Sequence, residues 1–108
     1  MIHKPLILLI ATLDTKWEEA QYLKGEIEAK GEKVLLLDAG ILGPVPFKAD
    51  IESGQVAEMA GSGLARLLER KDRGEAVRVM AEGARLWALQ LFKEVMLDSL
   101  GISWSNIE

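Results

Sequence analysis

The 108-residue chain contains no cysteine and a single histidine, His3, near its N-terminus. The absence of cysteine excludes disulfide bonds, thiolate zinc sites, iron–sulfur clusters and thiol catalysis. One histidine argues against a histidine-based metal centre, and we predict no metal site.

Positive charge is scarce: 13 Lys and Arg stand against 17 Asp and Glu, which gives a formal net charge of −4. Non-specific binding of nucleic acid depends on dense Lys and Arg, so no nucleic-acid partner is predicted.

No apolar run approaches the ~20 residues that cross a bilayer, and the short N-terminal run lacks the cleavage site of a secretory signal. We therefore expect a cytoplasmic chain with no membrane partner.

Two apolar segments predict buried strands. Leu6–Ala11 is apolar at consecutive positions, and Val34–Leu37 repeats this pattern before Asp38. Unbroken apolar runs are typical of strands that are covered on both faces, as in parallel sheets.

A helical pattern separates the two strands. Thr15 and Glu18 have the spacing of a capping box, which predicts a helix start at Thr15, and Lys30-Gly31 predicts its end. Strand, helix and strand form a βαβ unit. A chain this short buries only roughly two-thirds of its unfolded surface, which allows one modest core. We thus predict an α/β fold, a Rossmann-like βαβ unit with a small parallel sheet, as a single (sub)domain over residues 1–108.

Helices are predicted to follow the sheet. Residues 39–47 contain two prolines and two glycines and predict a packed loop without regular structure. Short helices are predicted at Ser53–Ala60 and Leu64–Arg70. Asp72 and Glu75 then have the spacing of a capping box at the start of one long C-terminal helix that reaches about Met96.

Within the long helix, residues 86–92 are apolar nearly all round, which is unusual for a surface helix of a small monomer. A short third strand is predicted at Leu100–Trp104. Two or three strands cannot cover their own edges and faces, so we expect a partner. The predicted partner is a second copy of the chain, bound through Leu86, Trp87, Leu89 and Phe92.

The predicted ligand site lies at the carboxyl edge of the sheet, where open parallel α/β sheets bind their ligands. Residues 12–16 follow the first strand, and residues 38–40 follow the second. Two hydroxyls, a lysine and the first amides of a helix suit a phosphate, and an acidic residue at a strand end suits ribose hydroxyls. The candidate cofactor-binding residues are Thr12, Asp14, Thr15, Lys16, Asp38 and Gly40.

Each of these residues also has a purely structural interpretation. Thr15 can cap a helix, Asp14 can favour the helix dipole, Lys16 can be solvated, and Asp38 can be a turn residue. The sequence contains neither of the glycine-rich nucleotide-binding motifs, G-x-G-x-x-G and G-x-x-x-x-G-K-S/T.

The acidic pair Asp50 and Glu52 suits acid–base chemistry or, more commonly, a helix start. The sequence singles out no nucleophile, general base or metal cluster. No catalytic residue is predicted.

Three blocks of the chain resemble the Tm-1-like ATP-binding domain family: residues 9–19, 34–43 and 72–84. The resemblance implies an α/β fold that holds ATP at its strand ends, with residues 12–16 lining the site. Family members are several times longer, so the chain resembles their first subdomain. Trp17 stands where the family usually has glycine, and residues 101–108 lack most glycines of its phosphate-binding loop.

Two functions follow from these observations. The first is a small non-catalytic or nucleotide-binding-like domain that self-associates. The alternative is the ATP-binding subdomain of a nucleotide-dependent enzyme. A third reading, a module that binds a protein partner, rests only on analogy with a plant inhibitor of viral RNA replication in the same family.

Overall fold

The computed structural model describes residues 6–43 and 45–99, with side chains described as far as residue 93. Two strands and four helices make up this part of the chain. Within these ranges, no helix combines the length and hydropathy that are needed to cross a bilayer.

The sheet consists of two parallel strands, β1 (Leu6–Ala11) and β2 (Lys33–Asp38). The helix α1 (Leu13–Ala29) connects them and ends as predicted before Gly31, which has a positive φ of 83°. The βαβ unit and the α/β fold class are therefore confirmed.

The start of α1 differs from the capping box that the sequence predicted. The helix begins at Leu13, and Thr12 is its N-cap residue without a side-chain capping bond. The Thr15 hydroxyl instead donates to the Thr12 carbonyl oxygen at 3.5 Å, and Lys16 has non-helical dihedral angles that kink the helix. The Leu13 amide is capped by Asp38 at 3.2 Å, a residue 25 positions away, so local spacing could not indicate this start.

Three helices follow β2: α2 (Ser53–Met59), α3 (Leu64–Arg70) and α4 (Arg73–Ser99). Their positions agree with the prediction to within a few residues. The carboxylate of Asp72 accepts a hydrogen bond from the Glu75 amide at 3.0 Å, as predicted. The Glu75 side chain pairs with Arg70 instead of completing the capping box. The third strand predicted at 100–104 lies outside the described residues.

The helices pack on opposite faces of the sheet because neighbouring strand residues point to opposite sides. Leu36 and Leu9 pack with Leu13 and Ala20 of α1. Leu37 and Leu8 face the other side, where α2, α3 and α4 supply the remaining core. The buried members of this second cluster outside the strands are Ile51, Val56, Ala57, Leu67, Met80 and Ala84.

The contact between α2 and α4 requires a glycine in α4. A Cβ atom at Gly83 would overlap the carbonyl group of Val56 and lie 2.8 Å from its Cγ1 atom. The Val56 carbonyl belongs to the helix backbone and cannot rotate away. Gly83 thus allows α4 to lie directly on α2.

We predict that Gly83→Ala lowers the free energy of unfolding by about 1–3 kcal/mol or more, because the helices must separate. Gly25→Ala in α1 is the matched control, since a Cβ there meets nothing within 4 Å. This control should gain about 0.5–1 kcal/mol from helix propensity. Urea unfolding measures both values, and a loss of similar size in the two variants would contradict the packing account.

Candidate functional site

A cavity of about 400 Å³ opens at the carboxyl edge of the sheet. Its walls come from the turn after β1, the turn after β2, the end of α3 and the first turns of α4. The lining residues are Thr12, Asp14, Thr15, Ala39, Gly40, Ile41, Leu42, Leu67, Leu68, Lys71, Asp72, Arg73, Ala76, Val77 and Met80.

Four of the six sequence-predicted site residues line this cavity: Thr12, Asp14, Thr15 and Gly40. The hydroxyl oxygens of Thr12 and Thr15 lie 3.4 Å apart, and both residues are exposed. Their hydroxyl groups can donate to a ligand or accept from it.

Asp14 and Gly40 join the two turns. The Asp14 carboxylate accepts a hydrogen bond from the Leu42 amide at 3.1 Å. A Cβ atom at Gly40 would lie 2.7 Å from Asp14 Oδ1 and 3.1 Å from Asp38 Oδ1. Any larger residue at position 40 would therefore force the carboxylates away and change the shape of the cavity.

The other two predicted residues do not line the cavity. Lys16 is exposed, and its Nζ atom lies 3.8 Å from a Glu19 carboxylate oxygen. Asp38 is 8% exposed and lies beneath the two turns, where its Oδ1 atom accepts hydrogen bonds from the amides of Leu13 at 3.2 Å and Gly40 at 2.8 Å.

Burial raises the pKa of the Asp38 carboxyl group. The hydrogen bonds from the Gly40 and Leu13 amides act in the opposite direction, and the negative charges of Asp14 and Glu52 raise the pKa further. Two backbone amides therefore hold the Asp38 carboxylate in place, although its burial removes it from water and disfavours its charge.

Sequence reasoning missed the cationic side of the cavity. Lys71 and Arg73 line it on either side of Asp72, and Lys71 has a left-handed backbone with φ of 54°. Within the described part of the chain, neither cation has an ion pair with a carboxylate. The available signal was the Lys-Asp-Arg run at residues 71–73, whose two cations were not predicted to belong to the site.

Most of the remaining lining is apolar. Leu67 and Met80 are buried beneath the cavity, whereas Leu68 and Val77 leave 42% and 59% of their surface exposed. This wall suits the flat face of an aromatic ring or an apolar body, while the hydroxyls and cations suit an anionic group.

The acidic pair Asp50 and Glu52 supports the backbone. Asp50 accepts a hydrogen bond from the Leu36 amide at 2.7 Å, and Glu52 forms a capping box with Gln55 at the start of α2. Glu52 also lies beside Lys48 in a second, more open cavity of about 470 Å³, which Asp38 lines as well. No group of three potential metal ligands occurs among the residues that the structure describes.

Comparison with known proteins gives a consistent family. A model of the N-terminal domain of the uncharacterised protein family UPF0261 matches residues 5–103. A UPF0261 protein of Clostridium tetani is 36% identical over 88 residues, which are 82% of this chain and 22% of the relative. A UPF0261 protein of Brucella suis is 32% identical over 98 residues, which are 91% of this chain and 23% of the relative.

A UPF0261 protein of Rhizobium meliloti is 38% identical over 76 residues, which are 70% of this chain and 19% of the relative. The chain thus spans about a fifth to a quarter of the length of these curated relatives. No solved structure matches the chain.

Two substitutions distinguish the effect of the buried Asp38 charge on stability from the effect of its hydrogen bonds. Asp38→Ala leaves the Leu13 and Gly40 amides without their acceptor and should cost about 1–3 kcal/mol of unfolding free energy. Asp38→Asn keeps an acceptor oxygen and removes the buried charge, so at neutral pH it should be at least as stable as the parent chain.

The pH dependence of the unfolding free energy tests whether the pKa of Asp38 is raised in the folded chain. A raised pKa means that, between the unfolded and folded pKa values of Asp38, the folded chain binds more protons than the unfolded chain. The unfolding free energy of the parent should therefore fall relative to that of Asp38→Asn as the pH rises through this interval. Urea unfolding at several pH values measures the difference, and an increase with pH would contradict the assignment.

Proposed function

We propose that this chain, which belongs to the uncharacterised protein family UPF0261, contributes one wall of a nucleotide site with ATP as the ligand. The observation that carries the proposal is the position of the cavity, which brings Thr12, Thr15 and Gly40 at the strand ends together with Lys71 and Arg73. Open parallel α/β sheets bind ligands at this edge. The resemblance of residues 9–19 and 34–43 to the Tm-1-like ATP-binding domain family supports ATP in particular.

The two kinds of lining suit the two ends of a nucleotide. The hydroxyls of Thr12 and Thr15 and the charges of Lys71 and Arg73 would contact the phosphates, since charge-assisted hydrogen bonds to phosphate are strong. The apolar wall around Val77 would contact the base. Asp38 would position the turns from beneath, rather than hold the ribose as its strand-end location first suggested.

In this proposal, other parts of the protein supply the remaining walls of the nucleotide site. The chain spans about a quarter of its relatives at most, and its cavity is open to solvent. We assign no reaction and no catalytic residue to this wall. A cytoplasmic location, as the sequence predicts, is consistent with ATP as the ligand.

Binding can be tested by calorimetric titration of the chain with ATP and magnesium. Lys71→Gln and Arg73→Gln should each weaken binding roughly 10- to 150-fold, because each removes one charged hydrogen bond worth about 1.5–3 kcal/mol. Lys16→Ala, at the edge of the turn, should weaken binding less than these variants but more than Lys24→Ala, the remote control on α1. Absence of heat and of a thermal shift at millimolar ATP would refute the proposal, as would equal effects of all four substitutions.

We further propose that the chain self-associates through the C-terminal part of α4. Leu89 and Phe92 are spaced three residues apart on this helix and leave 44% and 63% of their surface exposed. Leu86 and Trp87 are half-buried, and the Trp87 indole donates to the Gln55 carbonyl oxygen at 3.2 Å. Trp87 therefore anchors the helix, while Leu89 and Phe92 offer the apolar surface to a second copy.

Light scattering during gel filtration tests self-association. The parent chain should have the mass of a dimer or larger at micromolar concentration. Phe92→Glu should weaken association at least about tenfold, because it places a charge in each copy where the proposed interface would bury an apolar side chain. Tyr22→Glu, at an exposed aromatic residue of α1, is the control and should leave the mass unchanged. A monomeric parent chain would refute this second proposal.

A further inference from the structure

The charges in the wall of the cavity at the carboxyl edge of the sheet cancel one another. Among the described residues that line it, Lys71 and Arg73 contribute two positive charges, and Asp14 and Asp72 contribute two negative charges. The carboxylate of Asp38 lies beneath the same turns. A triphosphate carries several negative charges, so these walls do not neutralise it without a further cation.

The Asp14 carboxylate is fixed through only one of its oxygens. Its Oδ2 atom accepts a hydrogen bond from the Leu42 amide at 3.1 Å. Its Oδ1 atom has no hydrogen bond or ion pair with any residue that the structure describes. Asp14 therefore holds one unpaired carboxylate oxygen in a set position in the cavity wall.

The surroundings of the two carboxylates in this wall differ in charge. Asp72 lies between Lys71 and Arg73 in sequence, and these two cations disfavour a third cation there. Lys16 is the cation nearest to Asp14 in sequence, and its Nζ atom lies 3.8 Å from a Glu19 carboxylate oxygen. A metal ion is therefore better accommodated at Asp14 than at Asp72.

Gly40 keeps space free beside the unpaired oxygen. A Cβ atom at this position would lie 2.7 Å from Asp14 Oδ1 and 3.1 Å from Asp38 Oδ1. Two carboxylate oxygens thus border a space that the side chain of any larger residue would fill. Asp38 Oδ1 already accepts two backbone amides, so Asp14 Oδ1 is the oxygen that is available to a ligand.

A phosphate in the proposed nucleotide site would lie close to this oxygen. Thr12 and Thr15, whose hydroxyls would contact the phosphates, belong to the same turn as Asp14 and line the cavity with it. Carboxylate and phosphate repel each other, whereas a divalent cation between them attracts both.

Mg²⁺ is the cation that fits this arrangement. It prefers oxygen ligands, keeps several waters, and is commonly held by one or two carboxylates together with the phosphates of a substrate. Such a site needs neither cysteine nor histidine. It also needs no group of three protein ligands, which the described part of the chain does not contain.

We propose that Asp14 binds the Mg²⁺ ion that accompanies the phosphates, an inference that rests on the proposed nucleotide site. The cavity then binds the complex of metal and nucleotide rather than the free nucleotide. Gly40 leaves room for the ion beside Asp14 Oδ1, and Lys71 and Arg73 contact the phosphates directly.

Calorimetric titration with ATP, once in excess magnesium and once in EDTA, tests the metal dependence. The parent chain should bind ATP at least about tenfold more tightly with magnesium, because the ion adds a charged contact to the protein. Asp14→Asn retains an oxygen that can accept from the Leu42 amide but loses the charge, so it should bind ATP equally in both conditions. Asp72→Asn, the matched control, retains its acceptor for the Glu75 amide and should keep the preference for magnesium.

The outcomes separate this inference from the proposed function. ATP binding of equal strength in magnesium and in EDTA would overturn the magnesium site and leave the nucleotide site standing. Loss of the magnesium preference in Asp72→Asn as well as in Asp14→Asn would overturn the assignment to Asp14. Absence of ATP binding in both conditions would overturn both proposals.

Paramagnetic broadening by Mn²⁺, which prefers the same oxygen ligands, locates the ion in the unaltered chain. With ATP present, a small amount of Mn²⁺ should broaden the amide signals of residues 13–15 and 39–41 more strongly than those of residues 71–74. Without ATP the broadening should be weaker, because the phosphates supply part of the ligand set. Broadening that is centred on residues 71–74, or that ATP does not increase, would overturn the inference.

Discussion

The Asp38 carboxylate joins the two turns in which the strands end. Its Oδ1 atom accepts hydrogen bonds from the Leu13 amide after β1 and from the Gly40 amide after β2. The first bond determines where α1 begins, and the second draws the chain against Asp14 so closely that only glycine fits at position 40. Burial of this carboxylate carries a desolvation cost, which also raises the pKa of Asp38. The shape of the cavity above depends on this one buried side chain.

Close packing of the helices supplies the opposite wall. Gly83 lets α4 lie on the backbone of α2, and the buried Met80 and Ala84 continue this contact toward the sheet. The start of α4 is thereby held over the carboxyl edge, where Lys71 and Arg73 line the cavity together with the turn after β1. Two packing constraints, one polar and one steric, thus bring hydroxyl, cationic and apolar groups from four segments into one site.

The elements that could be predicted from sequence are those with local signals. Unbroken apolar runs indicated both strands, and α3 was predicted with the bounds that the structure has. The start of α1 could not be predicted because its cap is distant in sequence. For the site, the strand-end pattern identified Thr12, Asp14, Thr15 and Gly40, which all line the cavity. It missed Lys71 and Arg73, because only tertiary packing brings the α3–α4 turn to the strand ends.

We propose that the cavity at the carboxyl edge of the sheet binds a nucleotide. Titration of the isotope-labelled chain with ATP and magnesium, followed through its backbone amide chemical shifts, tests it most directly. If ATP binds there, saturable shift changes are expected at residues 12–15, 40–42 and 71–74, with residues 20–29 of α1 unaffected. Changes that are confined to the second cavity around residues 45–49, or no saturable change at millimolar ATP, would contradict it.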